Sequence, residues 1–423
     1  MNKNKQFQKA VFFRRNSRRF SRYFGCFAIW GPLMCLMMTP FFGVCGEESA
    51  AIRECSARLD AIQAEYLPDT RLGVFQYRVE GKRVTVETSS PEAHEAVCRL
   101  AEGVPELSFD AALWPEKNPR VGGMSFGFAA LSVVNLLREP EYGSEMTAQG
   151  LLGMPIRVMD VSPTHEYWIQ IQLPSGYLGW TTAASIVRQT AEDFAAESRR
   201  DWVVFTPLFG LIYAEPSEDA PTISDLVAGG RLIRTGSERS GWTAVSMPDG
   251  RSGYVRSDAL TPFASWLDSA PELSAASILS TARRFLGFPY LWGGNSAKGI
   301  DCSGFVWLVF FLNRTDLLRD ASQQRRDGEE IEPFPLTNLQ PGDLLFFGKR
   351  REDGSPITRH VGIYLGGGEF IHSATRVKIG SLDENAPNYD PSNASELNGV
   401  RRLIGAPKSA TFHPLRENRL YRP

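Results

Sequence analysis

Apolar residues recur with helical spacing from Ala50 to Tyr66, which predicts a helix. Leu72 to Val79 and Arg83 to Thr88 then read as two strands, with Glu80-Gly81-Lys82 between them as a hairpin signal. Pro91 to Leu100 reads as a second helix with Ser90 as its N-cap. Together they predict a small α/β unit over residues 47–125. His94, on the second helix, reads as a surface or packing residue and not as a ligand.

The middle of the chain repeats itself. Trp168, Pro174, Gly176, Gly179, Trp180 and Ile186 recur as Trp242, Pro248, Gly250, Gly253, Tyr254 and Leu260, each pair 74 residues apart. Glu139-Pro140 recurs approximately as Glu215-Pro216. Within a unit, Trp168 to Gln172 alternates with period two, Pro174-Ser175-Gly176 turns the chain, and Tyr177 to Trp180 returns. Short strands broken by Gly and Pro predict two small antiparallel β-barrels, residues 126–190 and 200–262. Residues 261–274 read as a linker. Ala275 to Leu286, capped by Ser274, opens a last domain over residues 270–410. From Ala406 onward there is no periodicity, and the tail reads as an extended arm.

At ~100–200 residues per domain, 423 residues suit two to four domains. Hydrophobic residues at 43% and charged residues at 22% are ordinary for a globular protein, so real cores can form. The net charge of -2 conceals an asymmetry. Eight basic residues and no acid fall within residues 1–22, and residues 23–46 carry no charge, leaving 38 basic against 48 acidic side chains beyond. So acidic a remainder argues against nucleic acid as a partner, because phosphate binding needs clustered Lys and Arg. The basic stretch followed by apolar Tyr23 to Val44 reads as a secretory signal over residues 1–46, which places the protein in the periplasm or cell envelope, or outside the cell. Cleavage around Val44-Cys45-Gly46, retention as a membrane anchor and a lipid anchor on Cys45 are three alternatives, and an N-terminal anchor is the sole membrane contact expected. Cys26, Cys35 and Cys45 lie in that region, so Cys55, Cys98 and Cys302 remain. Cys55 and Cys98 either pair or stay as two unpaired, buried cysteines, and both readings leave Cys302 free.

The chemistry concentrates in the last domain. Gly299-Ile300-Asp301-Cys302-Ser303-Gly304-Phe305 precedes an apolar run to Leu312, consistent with a buried helix that begins at Cys302. The positive end of a helix lowers a thiol's pKa from about 8.5 towards ~3.5–7.5, so an activated thiolate is expected there. Gly342 to Phe347 reads as a strand, His360 to Leu365 as another, Gly366-Gly367-Gly368 as a turn, and Phe370-Ile371-His372 as the start of a third. The Gly turn would make the last two antiparallel and bring His360 near His372. A thiol, a base and a group that orients the base are the parts of nucleophilic catalysis. The five histidines are scattered, without H-x-x-x-H or C-x-x-C spacing, so no metal centre is expected.

Tyr290-Leu291-Trp292-Gly293-Gly294, Asp301-Cys302-Ser303-Gly304-Phe305, Leu339 to Phe347, His360 to Gly366 and Phe370 to Ser373 resemble the NlpC/P60 family of cysteine peptidases. The repeated units resemble bacterial SH3 (SH3b) domains, and the combination is most similar to the γ-D-glutamyl-L-diamino acid endopeptidases, or dipeptidyl-peptidase VI-like enzymes. The resemblance implies an α+β, papain-like catalytic domain behind two SH3b-like barrels and the small α/β unit, with no cofactor. It implies Cys302 as nucleophile, His360 as base, His372 as the orienting residue and Tyr290 as an oxyanion donor. It implies peptidoglycan-derived peptides, L-Ala-γ-D-Glu-diamino acid, as partner. Glu145, Tyr177, Asp301 and Ser303 match positions that hold the free L-alanine amine. Ala321 stands where some members have a ligand-contacting Ser, and Ser322 is the expected substitute. In the second copy Ser224-Asp225 lies near the place of Ser144-Glu145 and Arg251 replaces Tyr177, so that copy reads as structural. Two other functions fit the same sequence: a wall-binding protein with a vestigial hydrolase domain, and an amidase or acyltransferase acting elsewhere.

Overall fold

Ser90 caps the helix Pro91–Glu102, its side chain accepting a hydrogen bond from the Ala93 amide. The computed structural model that contains it describes residues 50–269 and 272–422, and the expected signal region, with Cys26, Cys35 and Cys45, lies outside them. Helix Ala50–Tyr66 and the hairpin Phe75–Glu80/Arg83–Thr88 form where the periodicity predicts them. Ser108–Leu113, which the alternation did not reveal, adds parallel to Arg83–Thr88. A parallel pair needs a crossover, and the helix Pro91–Glu102 supplies it. Leu59, Val84, Val86 and Val97 fill the core beneath. Cys55 is buried in this core and Cys98 is exposed, and among the described residues neither forms a disulfide, which removes the pairing alternative and corrects the expectation that an unpaired Cys98 is buried. His94 packs, its Nε2 3.4 Å from the Ala111 carbonyl oxygen.

The repeat appears as two antiparallel seven-stranded sheets of the same order. The first runs Ile186–Gln189, Phe126–Ala129, Pro155–Val161, Trp168–Gln172, Leu178–Thr182, Val133–Leu137, Met146–Leu151. The second runs Leu260–Pro262, Trp202–Phe205, Arg231–Arg234, Trp242–Ser246, Ser252–Arg256, Phe209–Tyr213, Thr222–Val227. Both keep a bulge at the equivalent place, where Leu137 faces Met146 and Tyr213 faces Thr222. In this register Asp225 corresponds to Gln149 and not to Glu145, which corrects the expected alignment.

The expected closed barrels are not found. Among the described residues no ladder joins Ile186–Gln189 to Met146–Leu151. The outer edge of Met146–Leu151 is taken by the last domain instead. Asn295 stands in for a strand: its side chain accepts from the Gln149 amide at 2.7 Å and donates to the Gln149 carbonyl at 2.9 Å, while its own amide donates to Gln149 Oε1 at 3.0 Å. Asp225 docks the second sheet similarly, pairing with Lys298 at 2.7 Å and accepting from Ser132 at 2.8 Å.

Two irregular segments also depart from expectation. Within the supposed linker, Phe263–Asp268 forms a helix that buries Phe263, Trp266 and Leu267. The supposed arm folds back: His413–Pro414 pairs with Thr315–Asp316, Leu415 and Tyr421 are buried, and Asn418 donates to Asp316 Oδ2 and to the Pro174 carbonyl. Prolines break periodicity, yet single apolar anchors in irregular chain bury as well as those in helices.

Helix Ala275–Arg283, held by a Ser274/Ser277 capping box, opens the last domain and stops short of Leu286. The helix Cys302–Leu312 is buried almost throughout, its Phe305, Val306 and Val309 packed in one core with Val361, Ile363 and Ile371. A helix apolar on every side belongs inside. The six-stranded antiparallel sheet it meets has the order Glu329–Glu330, Leu397–Arg402, Leu344–Phe347, His360–Gly366, Glu369–Ala374, Arg376–Ser381.

Candidate active site

Asp301 starts the central helix. Its Oδ1 accepts the Gly304 amide at 2.7 Å, the usual N-cap bond, and its Oδ2 accepts the Gly293 amide at 2.9 Å. A β-carbon on Gly304 would sit 2.1 Å from the Gly294 carbonyl oxygen, so the Asp-Cys-Ser-Gly order is a packing requirement as well as a chemical one. The Asp301 carboxylate is forked by Arg319, Nη1 to Oδ1 at 3.0 Å and Nη2 to Oδ2 at 2.7 Å, and Nη1 also reaches Ser303 Oγ at 2.9 Å. Arg319 and Asp301 are both buried.

Cys302 is the first helical residue, as expected, but its thiol is not activated at rest. Burial and the adjacent Asp301 carboxylate push it up to about 11, against the pull of the Val361 and Ser303 amides and Arg319. The N-cap carboxylate offsets the positive end of the helix, and the buried sulfur lacks the solvation a thiolate needs. This corrects the expectation of a resting thiolate.

His360 and His372 do meet. Ile363 faces Ile371 across the two strands, and His360 Nε2 lies 2.7 Å from His372 Nδ1, with the rings at 75° to each other. Gly362 permits this, since a β-carbon there would lie 3.2 Å from His372 Cβ. Phe347 and Phe370 wall off the pair. Burial lowers His360 to about 4 and His372 to about 3, the second also pressed by His360. At neutral pH the site therefore holds a thiol and two neutral imidazoles. Such a set can act by general-base transfer at the moment of attack.

A cavity of about 210 Å³ opens over Cys302. Glu145, Tyr177, Tyr290, Asp301, Ser303 and Ser322 all line it, so the structure brings the candidate binding residues to one place. All of them except Tyr290 already have side-chain hydrogen bonds within the protein. Glu145 accepts from Trp292 Nε1 at 2.8 Å and pairs with Arg138. The Tyr177 hydroxyl donates to Asp320 Oδ2 at 3.0 Å, and Asp320 also pairs with Arg71 at 2.7 Å. Arg71 further donates to Ser322 Oγ at 3.1 Å. Burial and the neighbouring Cys302 and Asp301 groups push the Tyr290 phenol up, so it stays protonated and can donate.

Trp292 stands within a motif stretch and Arg319 and Asp320 directly precede Ala321, yet their partners were not legible. Arg71 gave no signal at all: it belongs to the small N-terminal unit and reaches Asp320 across 249 residues of chain.

Comparison with known proteins agrees with this anatomy. The NlpC/P60 family matches residues 287–393, and the bacterial dipeptidyl-peptidase Sh3 domain matches residues 136–186. The chain is similar to dipeptidyl-peptidase 6 of Lysinibacillus sphaericus, 28% identical over 283 residues, which cover 64% of this chain and 97% of that one. It is also similar to the γ-D-glutamyl-L-lysine dipeptidyl-peptidase of Bacillus subtilis strain 168, 30% identical over 245 residues, 56% of this chain and 75% of the relative. An NlpC/P60 family protein from Bacillus cereus ATCC 10987 superimposes with a TM-score of 0.54 at 25% identity, covering 66% of this chain and 100% of that one. With sequence and fold in agreement over both the sheet that walls the cavity and the domain that carries Cys302, the chain belongs to the NlpC/P60 family of peptidases.

Proposed function

We propose that this enzyme hydrolyses the γ-D-glutamyl–diamino acid bond of peptidoglycan-derived peptides that begin with a free L-alanine. The observation that carries the reading is the cavity over Cys302, whose wall includes Glu145 and Tyr177, which immediately precede the strands Met146–Leu151 and Leu178–Thr182 of the first seven-stranded sheet. Two of its relatives are named for γ-D-glutamyl-L-lysine cleavage, which supports the same bond. In the reaction, Cys302 attacks the γ-carbonyl as its proton passes to His360. Tyr290 and backbone N–H groups beside Cys302 stabilise the oxyanion. His360 returns the proton to the departing amine, and water then cleaves the thioester with His360 again as base. His372, 2.7 Å away, holds His360 in orientation.

Glu145 is the group suited to the substrate's ammonium. Asp301 contributes less directly, because both its oxygens are taken by Arg319 and backbone amides. A carboxylate facing an ammonium repays the loss of hydration that an unpaired charge would suffer. The basic and apolar start of the chain supports export to the cell envelope, where such peptides arise.

The test is mass spectrometry of products from L-Ala-γ-D-Glu-diaminopimelate and its lysine analogue, each with a free and an acetylated N-terminus. Release of L-Ala-γ-D-Glu from free peptides, lost in Cys302→Ala, is expected. Equal cleavage of acetylated and free peptides would remove the amine-reading role, and undiminished turnover by Cys302→Ala would remove the mechanism.

A further inference from the structure

The orienting histidine has a loose end. His372 is fully buried, its Nδ1 faces His360, and its Nε2 has no hydrogen-bond partner among the described residues. A buried ring nitrogen left without a partner is costly, and natural structures supply a reason for one. An acid stands close by: Asp390 Oδ2 lies 3.9 Å from that Nε2. Several features hold Asp390 there. Its amide donates to the Ser381 carbonyl at 2.9 Å. Its carboxylate caps the short helix Pro391–Glu396, accepting from the Asn393 amide at 3.1 Å and from Asn393 Nδ2 at 2.8 Å. Gly380 leaves the room: a β-carbon there would lie 3.3 Å from Asp390 Cβ and 3.2 Å from Phe370.

We propose that Asp390 is a positioning residue, the outermost member of a line Cys302, His360, His372, Asp390. The proposal rests on the thiol–imidazole mechanism above. For His360 to accept the thiol proton on Nδ1, its Nε2 must carry hydrogen and donate to His372 Nδ1. His372 must then carry its hydrogen on Nε2, directed at Asp390. The carboxylate selects that tautomer and favours the positive charge that appears on the histidine pair when Cys302 gives up its proton. At 3.9 Å the contact is electrostatic and not a hydrogen bond, so it strengthens when the charge forms.

Other charged groups face the pair. Lys378 lies opposite His372 in register, with its Nζ 4.0 Å from Asp390 Oδ2. Arg359 precedes His360 on the chain, and Asp301 faces His360 from the central helix. Lys378 and Asp390 thus act on the pair in opposite senses, which gives the experiment its control.

The experiment measures the pH dependence of Cys302 alkylation by iodoacetamide, read by peptide mass mapping so that Cys55 and Cys98 are counted separately, alongside kcat and KM for peptide hydrolysis. Asp390→Asn keeps the shape and the helix cap but loses the charge. Its alkylation rate and kcat are expected to fall by roughly tenfold to a hundredfold, with the acid limb of both profiles about one unit lower. KM should hold, because Asp390 does not line the cavity. Lys378→Gln should move the acid limb the other way. An unmoved limb in folded Asp390→Asn overturns the proposal, and so does an unmoved limb in Lys378→Gln if the first variant does not fold. Failure of wild-type protein on the γ-D-glutamyl peptides would instead strike the substrate assignment, leaving the alkylation profiles to judge Asp390.

Discussion

Arg319→Met tests the internal support of the candidate nucleophile. Arg319 is 2% exposed and Asp301 7%, and the guanidinium makes two bonds to that carboxylate, one to Ser303 Oγ and one to the Gly294 carbonyl at 3.3 Å. Replacing a whole buried pair by apolar residues is often close to neutral, but removing one partner strands a buried charge and costs about 3–5 kcal/mol. The stranded group here is the N-cap of the helix that begins with Cys302. Arg319→Met should therefore lower unfolding free energy by ~3–5 kcal/mol in urea titrations followed by tryptophan fluorescence. Alkylation at Cys302 should also slow, since Arg319 is one of the groups that draw the thiol down. Arg319→Lys keeps the charge without the fork and should fall between. Adding Asp301→Asn to Arg319→Met should recover part of the loss, because the stranded charge is gone. A single Arg319→Met variant within about 1 kcal/mol of wild type, or a double variant whose loss equals the sum of the single losses, would refute the argument.

Acid should act on both activity and stability. His360 falls from an ordinary value near 6.5 to about 4, so the neutral base persists to low pH and hydrolysis should decline only as pH approaches about 4. By linkage, its stabilising contribution is complete above about pH 6.5 and is lost as pH falls through about 4, on the order of 3 kcal/mol, measurable by urea titration across that range. Gly293→Ala should cut kcat/KM by about a hundredfold, because at φ 74° its added carbon would lie 2.3 Å from the Met146 carbonyl oxygen and push the first sheet off the cavity. A variant with wild-type kinetics would show that this approach is not needed. Glu145→Gln should slow cleavage of free-amine peptides by about tenfold, not a thousandfold, because the side chain is partly exposed and shared with Arg138. It should add little with acetylated peptides, and equal losses on both would mean that Glu145 does not meet the amine.

Local order was readable in the sequence wherever one segment satisfies itself. The helix Ala50–Tyr66, the hairpin at Gly81, the Ser90 and Ser274 caps, the central helix after Cys302 and the His360 and His372 strands all depend on short-range periodicity or a turn. The internal repeat was readable because two copies of one fold keep the same turns. Cys302, His360 and His372 stood out because their residue types and spacing are unusual for a structural core.

Tertiary contact decided the rest. The thiol's pKa depended on burial first and then on an N-cap carboxylate, and no motif reports the depth of a residue. The first sheet stays open because Asn295 occupies the outer edge of Met146–Leu151, which an isolated barrel would have to close on itself. Phe263, Trp266 and Tyr421 found their core from segments that look like linker and tail, since an anchor's burial depends on its neighbours in space. Arg71 reaches Asp320 from the far end of the described chain, and Asp390 comes to the histidine pair from a loop beside it. Periodicity along a chain records which face of an element is apolar. It does not record what a charged side chain meets on the other side of a cleft, because that partner is brought there by the packing of other elements.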